Sequence, residues 1–313
     1  MTDRPAPSLH VSRRIGLRIL ATLIYLASQV TNGAPAAAED WLLDENFLDE
    51  VFAPIHHTHF SELGTPYVHP FTIEPPQIHQ DVFFIYKFTE NADGSDEFEA
   101  EPHVDWALTK RLGILFASPL VGNRQPNGIH NVGPGDLEIA PRVMWIERDR
   151  FILASNFFIT VPTGDETRDL GAGETTLAPF ITTWHDLGDW NSLLLNFGPE
   201  VGAESGHTSM IYSFSLTHSW LGEAILGEEE HIEHGEAGGH EHAQHFEPGM
   251  KTIYLEMNGE TQLDGAEQTL IELLPGFSYV LAESAELRFG VLFPVTEVKR
   301  FDRQYYASFT WIY

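Results

Sequence analysis

Apolar and polar residues alternate with a period of two along most of the chain after residue 80. At the carboxyl end Tyr305, Ala307, Phe309, Trp311 and Tyr313 alternate with Gln304, Tyr306, Ser308, Thr310 and Ile312. Upstream, Ala285, Leu287, Phe289, Val291 and Phe293 alternate with Glu286, Arg288 and Gly290, and Met210, Tyr212, Phe214 and Leu216 oppose Ser213, Ser215 and Thr217. Leu137, Ile139, Val143 and Trp145 oppose Asp136, Glu138 and Arg142, while Phe98, Ala100, Val104 and Trp106 oppose Glu99, Glu101, His103 and Asp105. Successive side chains of a β-strand point to opposite faces, so each run predicts a strand with one apolar and one polar face. Segments 81–88, 98–107, 112–119, 135–146, 151–162, 175–185, 191–202, 209–221, 250–258, 268–280, 285–295 and 304–313 make about twelve such strands. An even number returns both ends of the chain to the same side.

Alternation by itself fits two architectures. A soluble sandwich buries the apolar face, whereas a membrane barrel turns it to lipid and keeps the polar face for its lumen. Tryptophan placement favours the barrel. With both termini at one end, Trp106, Trp145, Trp184, Trp190, Trp220 and Trp311 all fall at strand ends on that side, as an interfacial girdle requires. The turns near 108–111, 147–150, 186–190 and 281–284 are short, and 120–134 and 163–174 are longer, which is the asymmetry of outer-membrane barrels. The predicted fold class is therefore all-β: a transmembrane antiparallel up-and-down barrel over 81–313, ending in an aromatic strand like those of outer-membrane barrels. Its expected partners are outer-membrane lipid, the barrel-assembly machinery (through the carboxyl-terminal strand) and a small-molecule solute.

The first residues bear on location. Arg13, Arg14 and Arg18 precede the apolar run Ile19–Ala27, and Ala34-Pro35-Ala36-Ala37-Ala38 follows. A basic start, a short apolar middle and a small-residue tail predict a signal peptide over 1–38, cut after Ala36 or Ala38, and delivery to the cell outer membrane of a Gram-negative bacterium. Every later apolar run is interrupted by charge, Gly or Pro, so a membrane could be crossed only by a closed barrel. Residues 39–80 begin with a short amphipathic helix, Trp41–Phe52, and become rich in proline and histidine. They are either a plug in the lumen or a periplasmic tether beneath it. Composition prunes further options: 17 basic residues face 46 acidic ones, which argues against nucleic acid as a partner, and the absence of cysteine removes disulfides, thiolate metal sites and cysteine nucleophiles.

Two glycine-containing segments carry more than periodicity. Gly133-Pro134-Gly135-Asp136-Leu137-Glu138-Ile139 opens a strand, and Val161-Pro162-Thr163-Gly164-Asp165 closes one before a loop through Gly171 and Gly173. With Trp106–Leu112 they resemble the outer-membrane transporter family named for meta-pathway phenol degradation, over most of the chain after residue 64. The resemblance implies a barrel that passes small, often aromatic or apolar, organic compounds. Read as residues, Pro162 and Gly164 are turn formers first.

Three constellations carry candidate chemistry. Glu99, Glu101, His103, Asp105, Glu138, Arg142, Glu256, Glu272, Glu286 and Arg288 fall on the predicted lumen face. They either tune an open pore toward cations or pair across a narrow one and hold it together. The His/Glu-rich insert 222–249 contains His231, His234, His240, His242 and His245, and His56, His57, His59, His69 and His79 precede the first strand. Both sets are predicted on the periplasmic side, where neutral imidazoles can bind a divalent transition metal (zinc, copper or nickel), the one cofactor class in view. A solvated acidic insert without a role explains the same composition. Ser215, Thr217 and His218 lie close in sequence, but no nucleophile elbow or third member accompanies them, so an enzyme is not expected. The reading that results is a passive channel for small organic compounds, with a metal-handling barrel as the alternative.

Overall fold

The structure is a computed structural model that describes residues 47–312, apart from 56–57, 62, 129, 223–245 and 266–267. The predicted signal peptide lies outside the described residues, and of the helix expected over Trp41–Phe52 only Phe47–Glu50 is described, as one helical turn. The strand segments among the described residues are β1 (Asp81–Glu90), β2 (Asp96–Ala107), β3 (Leu112–Ala117), β4 (Leu120–Arg124), β5 (His130–Pro134), β6 (Leu137–Arg148) and β7 (Phe151–Val161). They continue with β8 (Thr176–Gly188), β9 (Asn191–Gly202), β10 (Thr208–Leu221), β11 (Met250–Gln262), β12 (Thr269–Ala282), β13 (Ala285–Pro294) and β14 (Arg303–Ile312).

All pairings are antiparallel, and the sheet closes where β1 meets β14, from Asp81 opposite Ile312 to Glu90 opposite Arg303. β3 and β4 both pair with β2 and are halves of one barrel strand, broken at Ser118-Pro119. β5 and β6 are likewise halves of the next strand, broken at Gly135-Asp136. The break falls where proline removes a ladder donor and glycine permits the bend, and the Gly135 N–H still reaches the Pro119 carbonyl at 2.8 Å. The fourteen segments thus make a closed barrel of twelve strands, as the alternation predicts. The stretch 120–134, expected as a loop, is instead the β4–β5 hairpin that continues the wall beyond the break.

Burial decides which side is outside. Phe84, Trp106, Ile181 and Phe289 on the outward face are 51–55% exposed, whereas Glu256, Arg142 and Arg288 on the inward face are at most 2% exposed. That is the reverse of a water-soluble β protein and is the distribution a lipid surround stabilises. Among the described residues no helix is long and apolar enough to cross a membrane.

The tryptophan girdle needs one correction. Trp106 and Trp311 are about half exposed on the outer face, but Trp184 is fully buried on the inner face, edge-on to Tyr67 at 4.9 Å. Trp190 sits in the β8–β9 turn with positive φ and packs on Phe60. These two side chains serve a segment that lies inside the barrel. Residues 58–80 carry no barrel strand and run through the lumen: Tyr67, Ile73 and Ile78 share an apolar cluster with Met144, Ile152, Trp184 and Leu194 of the wall. Phe71 packs on Phe83, Tyr254, Leu274 and Tyr306 on the other side. Of this stretch, the part from Tyr67 to Ile78 packs against the inner wall of the barrel.

Candidate functional site

A segment without strand or helix must still satisfy its backbone polar groups, and the lumen wall supplies the partners. Arg142, on β6, meets Glu74 at 2.7 Å and Asp105 at 3.0 Å, and donates to the carbonyls of Pro75 and Gln77 and to Asn156. Arg288, on β13, donates to the carbonyls of His69 and Pro70 and to the Ser308 hydroxyl at 3.0 Å. Its guanidinium carbon lies 5.2 Å from the Phe71 ring and 5.0 Å from the Phe83 ring. Glu256 does the opposite task, accepting the N–H groups of Phe71 at 2.8 Å and Thr72 at 2.9 Å together with the Thr72 hydroxyl. Lower down, Asp186 accepts from the hydroxyls of Ser61 and Thr65. Proline-rich backbone offers more acceptors than donors, which is why two arginines hold the section His69–Gln77.

The ten lumen candidates all lie on the inward face, but they do different things. Glu99 and Glu101 flank Lys87, at 2.7 and 3.9 Å. His103 stands between Glu101, Asp105 and Glu74 at 3.5–3.9 Å. Glu286 is 3.9 Å from Arg288, and Glu138 and Glu272 line open cavities. Lys87, Asn258 and Thr72 were absent from the candidate set. Strand parity from Phe84 and Tyr86 could have found Lys87; nothing in the sequence pointed to Thr72.

Among the described residues, three cavities lie beside the plug. One of about 450 Å³ has Thr72 as part of its floor and Asn258, Glu272, Arg300 and Tyr306 in its wall. A second, about 490 Å³, is lined by Glu97, Glu99, Glu101, Asp136, Glu138 and Asp169 with Lys87. A third, about 220 Å³, follows the plug from His69 to Pro75 and shares Lys87, Glu101 and Glu138 with the second. The first two lie toward the end of the barrel opposite the chain termini, where β1 turns into β2 and β13 into β14.

Of the proposed metal ligands, His231, His234, His240, His242, His245, His56 and His57 lie outside the described residues. The β10–β11 connection that carries the insert does open at the same end as the termini. His59 is buried at the plug base, stacked on His79 at 5.6 Å and packed on Phe246, near the end of the insert, at 4.7 Å. Two described clusters bring ligand atoms within 4.8 Å of one another: His69, His79 and Asp81, and Glu74, His103 and Asp105. Burial, followed by nearby positive charge, pushes the His69 imidazole well below its usual range, and burial does the same to His79.

The glycine-containing motifs meet in space. The Asp136 carboxylate accepts the N–H groups of Gly164 at 2.8 Å and Ala172 at 2.6 Å, and Thr163 links the Gly135 carbonyl to the Leu137 N–H. A Cβ on Gly164 would sit 2.3 Å from the Leu170 carbonyl oxygen, so glycine is required by close approach. These residues build the loop over the β4–β5 hairpin. Ser215 and Thr217 face the lumen while His218 is exposed on the opposite face and pairs with Asn191 at 3.0 Å, so Ser215 and His218 form no dyad.

No family model matches the sequence, and no curated protein does. Among solved structures, the chain is similar to an outer membrane channel from Pseudomonas putida F1, with TM-score 0.51 and 14% identity over 79% of this chain and 100% of that one. The KdgM porin (TM-score 0.47, 9% identity, 74% of this chain and 99% of that one) and the NanC porin (0.46, 9%, 75% and 100%) follow. The likeness to the Pseudomonas channel is one of fold, and it sets this architecture among the outer-membrane barrels.

Proposed function

We propose that this chain is a passive outer-membrane channel for small organic solutes, in which the docked segment 58–80 limits passage. The observation that carries the reading is the pairing of a polar lumen with two cavities of about 450 and 490 Å³ above that segment. Their size suits a small organic molecule. Six carboxylates against Lys87 around the larger one favour neutral or cationic solutes over anions. The motif resemblance supports small aromatic or apolar compounds within that class, and the fold supports residence in the outer membrane of a Gram-negative bacterium, inserted by the assembly machinery through β14.

Liposome swelling tests the reading. Purified protein in liposomes should admit neutral phenols and short sugars faster than anionic benzoates of the same size. Liposomes that stay sealed to every solute, with the protein folded and inserted, would contradict it.

A further inference from the structure

His69 and His79 both belong to the docked segment, and Asp81 is the first residue of β1. All three are at most 4% exposed. Nε2 of each imidazole and both Asp81 carboxylate oxygens are buried without a hydrogen-bond partner. The approach of His69 Nε2 to Asp81 Oδ2, 3.8 Å, is too long for a hydrogen bond. A buried carboxylate with no hydrogen-bond donor is costly, and proteins resolve such groups by protonation, by pairing or by metal coordination.

We infer that His69, His79 and Asp81 form a binding site for one divalent transition metal of the zinc class, which ties the docked segment to the barrel wall.

Four carboxylates, Glu74, Asp81, Asp105 and Glu286, lie near one another, with Arg142, Arg288 and His103 among them. Arg142 is shared by Glu74 and Asp105, and Arg288 spends its bonds on Ser308 and the His69 and Pro70 carbonyls. Asp81 therefore has no guanidinium of its own. The neighbouring cluster of Glu74, His103 and Asp105 is already occupied by Arg142, which is why the assignment falls on the first.

The donor set selects the metal. Two imidazoles and one carboxylate suit zinc, cobalt or nickel, whereas calcium and magnesium want a shell of oxygens. Metal-ligand bonds of about 2.0–2.2 Å put neighbouring ligands closer than the 4.8 Å span here, so small side-chain rotations must accompany binding. Burial disfavours the charged form of both imidazoles, and the neutral form is the one that binds metal. Three protein ligands leave a coordination position for water or solute. The site is distinct from the histidine-rich insert and does not depend on whether the barrel conducts.

The test uses the full chain with the insert histidines His231, His234, His240, His242 and His245 all changed to Gln, so that interior binding is read alone. Folding is checked by heat-modifiable electrophoretic migration. Titration with cobalt(II) should give one equivalent bound, with visible d–d absorption that zinc abolishes. Adding Asp81→Asn, which keeps the shape, or His69→Gln should each weaken cobalt binding by about tenfold or more. Folded parent protein that binds no stoichiometric cobalt, or binding unchanged by both substitutions, overturns the site.

Discussion

Glu256 and Thr72 join the barrel wall to the segment inside it: the Glu256 carboxylate accepts both the backbone N–H of Thr72, at 2.9 Å, and its hydroxyl. The same carboxylate takes the N–H of Phe71, at 2.8 Å, and is fully buried. Charge-assisted bonds of this kind are stronger than neutral ones, and these fix the docked segment at the floor of the cavity of about 450 Å³.

Glu256→Ala leaves two half-buried amides without acceptors. The expected cost is about 2 kcal/mol of local stability, or about thirtyfold in an opening equilibrium. Hydrogen exchange at Phe71 and Thr72 should accelerate by that factor while the β11 and β12 amides stay protected. Equal acceleration in the strands would show that the wall, not the docking, depends on Glu256.

Arg142 answers to two carboxylates and two carbonyls at once. Arg142→Ala strands Glu74 and Asp105 in the interior, at a cost of about 3–5 kcal/mol. The temperature at which the folded band is lost on gels should fall markedly. Arg142→Lys should rescue little, because a single ammonium cannot serve two carboxylates and two carbonyls in the fixed geometry of the guanidinium fork.

The Asp136 knot holds the loop over the hairpin through Gly164 and Ala172. Asp136→Ala should free that loop and speed trypsin cleavage after the exposed Arg168 severalfold, with the barrel's thermal stability changed little. Gly164→Ala should do the same by a clash with the Leu170 carbonyl. Unchanged cleavage in both variants would separate the motifs from loop order.

Acid should release the helical turn Phe47–Glu50. Burial pushes the Glu50 carboxyl up, but hydrogen bonds from Lys110 and Arg111 outweigh it and hold the group below its ordinary value of 4.5. A depressed carboxyl stabilises docking above about pH 4.5, and that contribution is lost as pH falls through the folded value. Phe47 stacks on Trp145 at 5.4 Å, so tryptophan fluorescence reports the change. Glu50→Gln should show the acid signal already at neutral pH.

Most of the wall was legible in the sequence because its two faces meet opposite solvents. Phe84, Tyr86 and Phe289 are exposed on the outer face while Glu256 and Arg288 are buried on the inner one, so the period of two places the strands and their inward residues together. The two broken strands were not legible, since Ser118-Pro119 and Gly135-Asp136 read as loop ends. Trp184 misled because a lipid girdle and a packed plug both call for a large aromatic. The docking itself left little trace. Its partners are backbone amides and carbonyls of Phe71, Thr72, Pro75 and Gln77, met by side chains as distant in sequence as Arg288, and no local pattern records such contacts. The metal-binding candidates were half visible: histidines 69 and 79 stood out, while Asp81 read only as the start of a strand.

Planar-bilayer recording on the full-length protein tests the central claim most directly. A lumen plugged by residues 58–80 and walled by carboxylates should give small, cation-selective currents in the wild type. Glu256→Ala should raise the unit conductance severalfold and keep the cation preference. Currents absent from both proteins, or an anion preference in the opened variant, would contradict the account.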